Sequence, residues 1–100
     1  MDMSVGVWVT LKARPGREND VAAFLAQGAA LVEQEPLTLA WFAVRVDPGT
    51  FAIFDTFATE DGRQAHLSGA VAQALGAISD ELLDTAPDIR PVDVVASLVR

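Results

Sequence analysis

The sequence predicts an α+β domain with its strands and helices in the order βαββαβ. Short stretches of alternating apolar and polar residues, the mark of half-buried strands, are separated by two stretches with helical spacing. Turn residues stand between them. The chain is also rich in apolar side chains, 51% of 100 residues, more than a small single domain hides inside itself.

The first strand spans residues 5–13, with Val5, Val7, Val9 and Leu11 on one face and Trp8, Thr10 and Lys12 on the other. Pro15 and Gly16 end it. From residue 17 to about 33, Val21, Phe24, Leu25, Gly28 and Val32 fall on one helical stripe, with Glu18 and Asp20 at its positive N-terminus. Pro36 then stops the helix.

Residues 38–46 and 51–58 read as a hairpin around Asp47-Pro48-Gly49-Thr50, where proline presets φ and glycine accepts φ > 0. With Val46 opposite Phe51, Trp41, Ala43 and Arg45 share a face with Thr56, Phe54 and Ala52. The other face carries Phe42 and Val44 with Asp55 and Ile53. Thr59 N-caps a second helix, with Glu60 and Asp61 in its first turn, and apolar positions continue through Leu67, Val71, Ala74, Leu75 and Ile78. Residues 79–83 add a short extra turn or helix, and 89–99 supply the last strand.

This order is the ferredoxin-like arrangement, a four-stranded antiparallel sheet with two helices on one face. The other face is bare and would carry Trp8, Trp41 and Phe54. Two such sheets packed face to face make a dimeric α/β barrel, so a homodimer is expected.

One hundred residues form a single domain, 1–100, with no linker or repeat. The formal net charge of −7 repels a phosphate backbone or an anionic membrane, so neither nucleic acid nor membrane is an expected partner. The absence of cysteine excludes disulfides, thiolate metal sites and cysteine nucleophiles, and the single histidine excludes a multi-histidine metal site within one chain. No apolar run reaches the ~20 residues that span a bilayer. The first nine residues, with Asp2 where a positive charge would stand, do not read as a signal peptide. A cytoplasmic location is expected.

Several stretches resemble the antibiotic biosynthesis monooxygenase family of dimeric α/β-barrel proteins. They are the opening strand with Ala13-Arg14-Pro15-Gly16, Glu33-Gln34-Glu35-Pro36 before Leu39-Ala40-Trp41-Phe42, residues 51–57, and Asp61-Gly62-Arg63-Gln64-Ala65-His66-Leu67. The resemblance implies oxidation of a small phenolic or quinol-like aromatic substrate by molecular oxygen, without a cofactor. Haem-degrading relatives carry an iron-binding histidine in the second helix; Gln73-Ala74-Leu75-Gly76 stands there instead. Quinol-type relatives often carry a second histidine after Ala-His-Leu, where this chain has Ser68-Gly69-Ala70-Val71.

His66 is the one side chain whose ordinary pKa lies near neutrality. On the second helix it shares an edge with Ala70 and Gln73, and the resemblance points it toward a ligand cavity as a catalytic base. Its plainer reading is a surface histidine with one hydrogen bond. Asp55, an acid among apolar strand residues, is a candidate to orient His66; the alternative is an ion pair with an arginine or an acid at the sheet's wet end. Trp8, Trp41, Phe42, Phe54 and Phe57 are candidate substrate-binding residues, with ordinary core as the alternative. Arg45 reads as exposed near the turn, and Asp93 as a strand-edge or dimer-seam residue. No phosphate-cradling glycine loop, GxSxG element, HExxH or EF-hand loop occurs, so no metal or cofactor is expected. A cofactor-independent monooxygenase is the leading reading. A non-catalytic small-molecule binding protein and a proton-transfer enzyme (isomerase or cyclase) are the alternatives.

Overall fold

A computed structural model of the chain describes residues 3–100. Asp2, on which the reading of the N-terminus partly rests, lies outside the described residues. The elements are β1 (Val5–Lys12), α1 (Glu18–Val32), β2 (Ala40–Asp47), β3 (Thr50–Phe57), α2 (Glu60–Leu67), α3 (Ala70–Leu82) and β4 (Asp88–Asp93). The strands form one antiparallel sheet in the order β2-β3-β1-β4. This is the ferredoxin-like α+β arrangement predicted above.

The helices cover one face. Val7 and Leu11 from β1 and Phe57 from β3 are fully buried there against Val21 and Leu25 of α1 and Leu75 and Leu82 of α3. Each such side chain contributes about 1.5–3 kcal/mol on leaving water. Gly16, at φ 87°, makes the turn from β1 into α1, a conformation that costs glycine little. Its N–H donates to both Glu18 carboxylate oxygens at 2.8 and 2.9 Å, which anchors the start of α1. Gly28 brings α1 close to the sheet: a Cβ there would lie 3.4 Å from the Trp41 ring.

Three expectations need correction. The hairpin pairs Trp41 with Asp55 and Arg45 with Phe51, one residue out of the predicted register, and the irregularity falls between Arg45 and Asp47. Gly49 keeps a negative φ, so the Pro48-Gly49 turn is not of the primed kind that matches strand twist. A bulge at Val46 takes up the mismatch. Because side chains alternate, that slip changes which β3 residues Trp41 faces. Trp41 shares the helix-covered face with Asp55, and does not stand on the bare face with Trp8 and Phe54.

The second helix is two helices. Ser68 Oγ donates to the Gln64 carbonyl at 3.0 Å, and the Gly69 N–H folds back to the His66 carbonyl at 3.0 Å. Gly69 is extended (φ −86°, ψ −174°) and starts α3 afresh. His66 therefore lies in the last turn of α2, not on a continuous edge with Ala70 and Gln73.

The last strand ends at Asp93 rather than near residue 99. The Val94 N–H still reaches the Ser4 carbonyl at 2.9 Å, but among the described residues the β1–β4 ladder ends at the Val5–Asp93 pair. No helix among the described residues is long and apolar enough to cross a membrane.

Candidate functional site

Asp55 sits mid-way along β3, opposite Val7 of β1 and Trp41 of β2, on the helix-covered face. Its side chain is fully buried. A lone carboxylate there would be strongly unfavourable. The compensating group arrives from α2, whose start is held by the Thr59 side chain accepting the Gly62 N–H at 3.3 Å. His66 in the last turn of that helix reaches inward until Nε2 lies 2.8 Å from Asp55 Oδ2.

The other ring nitrogen meets a second acid. His66 Nδ1 lies 2.6 Å from Glu35 Oε1, and the Thr38 hydroxyl donates to the same oxygen at 2.9 Å. Glu35 stands in the α1–β2 connection, where its backbone N–H bonds to the Val32 carbonyl at 2.8 Å. Gly69 leaves the room it needs, since a Cβ there would come within 3.0 Å of Glu35 Oε2. The imidazole is thus held between two carboxylates, with the Phe57 ring packed beside it at a centroid distance of 5.3 Å.

Burial pushes the His66 pKa down, but the adjoining Asp55 and Glu35 carboxylates outweigh it and leave the value raised. The two acids therefore favour the protonated ring more than water does. Hydrogen-bonding capacity is still left over. Nε2 meets Asp55 at ion-pair distance without a hydrogen bond to it, so both Asp55 oxygens and Glu35 Oε2 are buried without a hydrogen-bond donor. Such acceptors are costly in an ordinary core.

Two clefts meet at Glu35. One, of about 190 Å³, is lined by His66, Ala65, Gly62 and Leu37. The other, of about 340 Å³, runs along α1 past Ala29 and Val32 to Trp41. Glu35, Pro36 and Thr38 line both.

Of the residues singled out in the sequence, His66 and Asp55 are brought into contact, and the acid's partner is the histidine and not an arginine. Trp41 lines the cleft beyond Glu35, with its indole N–H buried and unpartnered. Phe57 is fully buried against the imidazole. Trp8, Phe54 and Phe42 stand directly opposite one another across β1, β3 and β2 on the bare face, away from His66. Arg45 is exposed near the turn, and Asp93 is exposed at the end of edge strand β4. Glu35 escaped the sequence reading as a site residue. It lies 31 positions from His66 in a loop with no periodicity, and its place just before Pro36 was the one available signal.

A buried histidine held between two carboxylates, one of which lines two clefts, thus stands on the helix-covered face of a ferredoxin-like α+β sheet. No family model matches the sequence, and no curated protein does. Among solved structures, the chain is similar to NE2512, a protein of unknown function from Nitrosomonas europaea. The two are 43% identical over 98% of this chain and 95% of that one, with a TM-score of 0.95. A Caulobacter crescentus protein provisionally described as an antibiotic biosynthesis monooxygenase is 26% identical over 95% of this chain and 92% of that one, at a TM-score of 0.79. A Deinococcus radiodurans protein with the same provisional description shares the fold (TM-score 0.77, 21% identity, 96% and 97% covered). The likeness to these proteins supports the antibiotic biosynthesis monooxygenase family that the sequence resembles.

Proposed function

We propose that the protein is a cofactor-independent monooxygenase of small, electron-rich phenols that works as a homodimer. The observation that carries the catalytic part is the His66 imidazolium between Asp55 and Glu35, at the junction of two clefts. One positive and two negative charges leave the cluster with room for one proton. A phenol lying along the cleft gives its proton to Glu35, and the cluster becomes neutral while the substrate becomes a phenolate. His66 holds Glu35 in place, and Asp55 holds His66 from behind.

The phenolate supplies the electrons. It passes one to molecular oxygen, and the two radicals join as a carbon–oxygen bond to a peroxide. The O–O bond then breaks. One oxygen stays on the substrate carbon as a carbonyl, and the other leaves as water with the two hydrogens that carbon has lost. The substrate is thus a phenol whose keto form carries a CH2 group, as in an anthrone, and no outside reductant is needed.

Oxygen uptake by the purified protein with anthrones, hydroquinones and related phenols tests this reading. Uptake above the protein-free rate, one O2 per carbonyl formed, is the expected result. Binding of the same phenols with no oxygen consumed overturns it in favour of a binding protein or a proton-transfer enzyme.

The homodimer rests on the bare face. Phe42 there is 58% exposed and Trp8 39%, and Trp8 packs on Phe54 at a ring distance of 6.2 Å. A contiguous apolar patch of this kind calls for cover, and the same face of a second copy matches it by symmetry. Sedimentation equilibrium at micromolar protein is expected to give twice the 10.6 kDa chain mass, and Phe42→Lys to shift it toward monomer. A wild-type monomer overturns the dimer.

A further inference from the structure

We infer that the groove between α1 and edge strand β2 is a binding site for an elongated aromatic acid, whose anionic group is held by Arg45. This rests on the oxygenase reading and narrows its substrate class.

The groove continues the cleft that begins at Glu35. Ala29 and Trp41 line both, and the groove itself encloses about 380 Å³, within the range of small-molecule sites. Its hollow is set by side-chain size. Along the helix-covered face of β2 the residues are Trp41, Ala43 and Arg45, so a small side chain stands between two large ones. Ala22 and Ala26 of α1 face it. A flat apolar body fits between a floor and a roof of methyl groups.

The far end carries the one charge of this lining. Arg45 stacks over the Phe51 ring at 4.9 Å, which orients the guanidinium. It forms no salt bridge or hydrogen bond among the described residues, so its donor fork is free for a planar carboxylate. The acid whose charge it feels is Glu18, and both oxygens of Glu18 are taken by the Gly16 N–H. In a chain of net charge −7, a free guanidinium at the end of an apolar groove selects for an anion.

Spacing gives the ligand's length. Arg45 is four strand steps from Trp41, about 13 Å at ~3.3 Å per residue. Trp41 is the cross-strand neighbour of Asp55, which touches His66. A molecule with its anion on Arg45 and its reacting ring beside Glu35 therefore spans two or three fused rings. Trp41, which lines both cavities, lies between the two ends, and its indole N–H is buried and unpartnered.

Nitrogen-15-labelled protein titrated with 2-naphthoate, and separately with neutral 2-naphthylmethanol, tests this by the two indole N–H resonances. The Trp41 resonance is expected to move with naphthoate while that of Trp8, on the opposite face, stays put. Arg45→Gln is expected to weaken naphthoate about tenfold and to leave naphthylmethanol within twofold. Arg45 is exposed, so this variant folds, and circular dichroism verifies it.

Equal affinity for acid and alcohol, indifference to Arg45→Gln, movement at Trp8 alone, or no binding of either probe each overturns the inference. The two proposals fail separately. Naphthoate held through Arg45 with no phenol consuming oxygen leaves the groove standing and removes the oxygenase. Oxygen uptake with neutral phenols that ignores Arg45→Gln does the reverse.

Discussion

Replacing His66 with alanine is expected to destabilise the fold by about 3–5 kcal/mol at neutral pH, because it leaves buried carboxylates without their counter-charge. Asp55 has no solvent exposure, and neither of its oxygens has a hydrogen-bond donor to fall back on. Urea unfolding of the two proteins side by side measures the difference. A variant as stable as wild type would mean that the histidine is not what balances the acids.

The pH dependence has a definite sign. The folded-state pKa of His66 lies above its ordinary value of 6.5, so the folded protein binds the proton more tightly than the unfolded chain. The stability gained is fully present below 6.5 and is lost as pH rises through the raised folded value. Wild type is therefore expected to weaken on the alkaline side of neutrality. His66→Ala lacks that decline, and the gap between the two curves closes as pH rises.

Glu35→Gln is expected to cut oxygen uptake by about 10²–10⁴-fold, the usual worth of a positioned acid–base group. The amide oxygen still accepts from His66 and from Thr38, so the loop keeps its bonds, but it does not take up a substrate proton. Steady-state rates on an anthrone should place the loss in kcat, with KM little changed. The variant also takes a carboxylate away from the imidazole, which lowers the His66 pKa and moves the alkaline loss of stability to lower pH. Full activity with that stability shift present would make Glu35 a structural partner of His66 alone.

These expectations meet in one point. A buried charge cluster is seldom the most stable way to fill a core, and well-packed apolar residues often do as well. In this chain the cluster lies where two clefts join, with buried acceptors to spare. That combination favours chemistry over packing as the reason for these three residues.

Much of the fold was legible in the sequence. Alternation of Val5, Val7, Val9 and Leu11 marks β1, and the stripe from Val21 to Val32 marks α1. Both signals are local, since side-chain period follows directly from backbone geometry. The same locality made Asp55 and His66 conspicuous: a carboxylate among phenylalanines and a lone imidazole each stand out from their immediate neighbours.

What lay beyond the sequence is what depends on how distant segments meet. The slip at Val46 is one residue long, yet it moves Trp41 onto the face of Asp55, because neighbouring strand residues point to opposite sides. The break at Ser68-Gly69 turns His66 from a mid-helix residue into one in the last turn of α2. Glu35 joined the cluster only when the α1–β2 loop was laid against α2. Its contact with His66 is set by no spacing rule, because a loop's path follows from the elements it connects and not from its own residues. The sequence by itself determined the four strands, the first helix, the order of the elements and two of the three charged groups. Tertiary structure decided which faces those groups share and supplied the third, since pairing register and loop docking are properties of segments in contact.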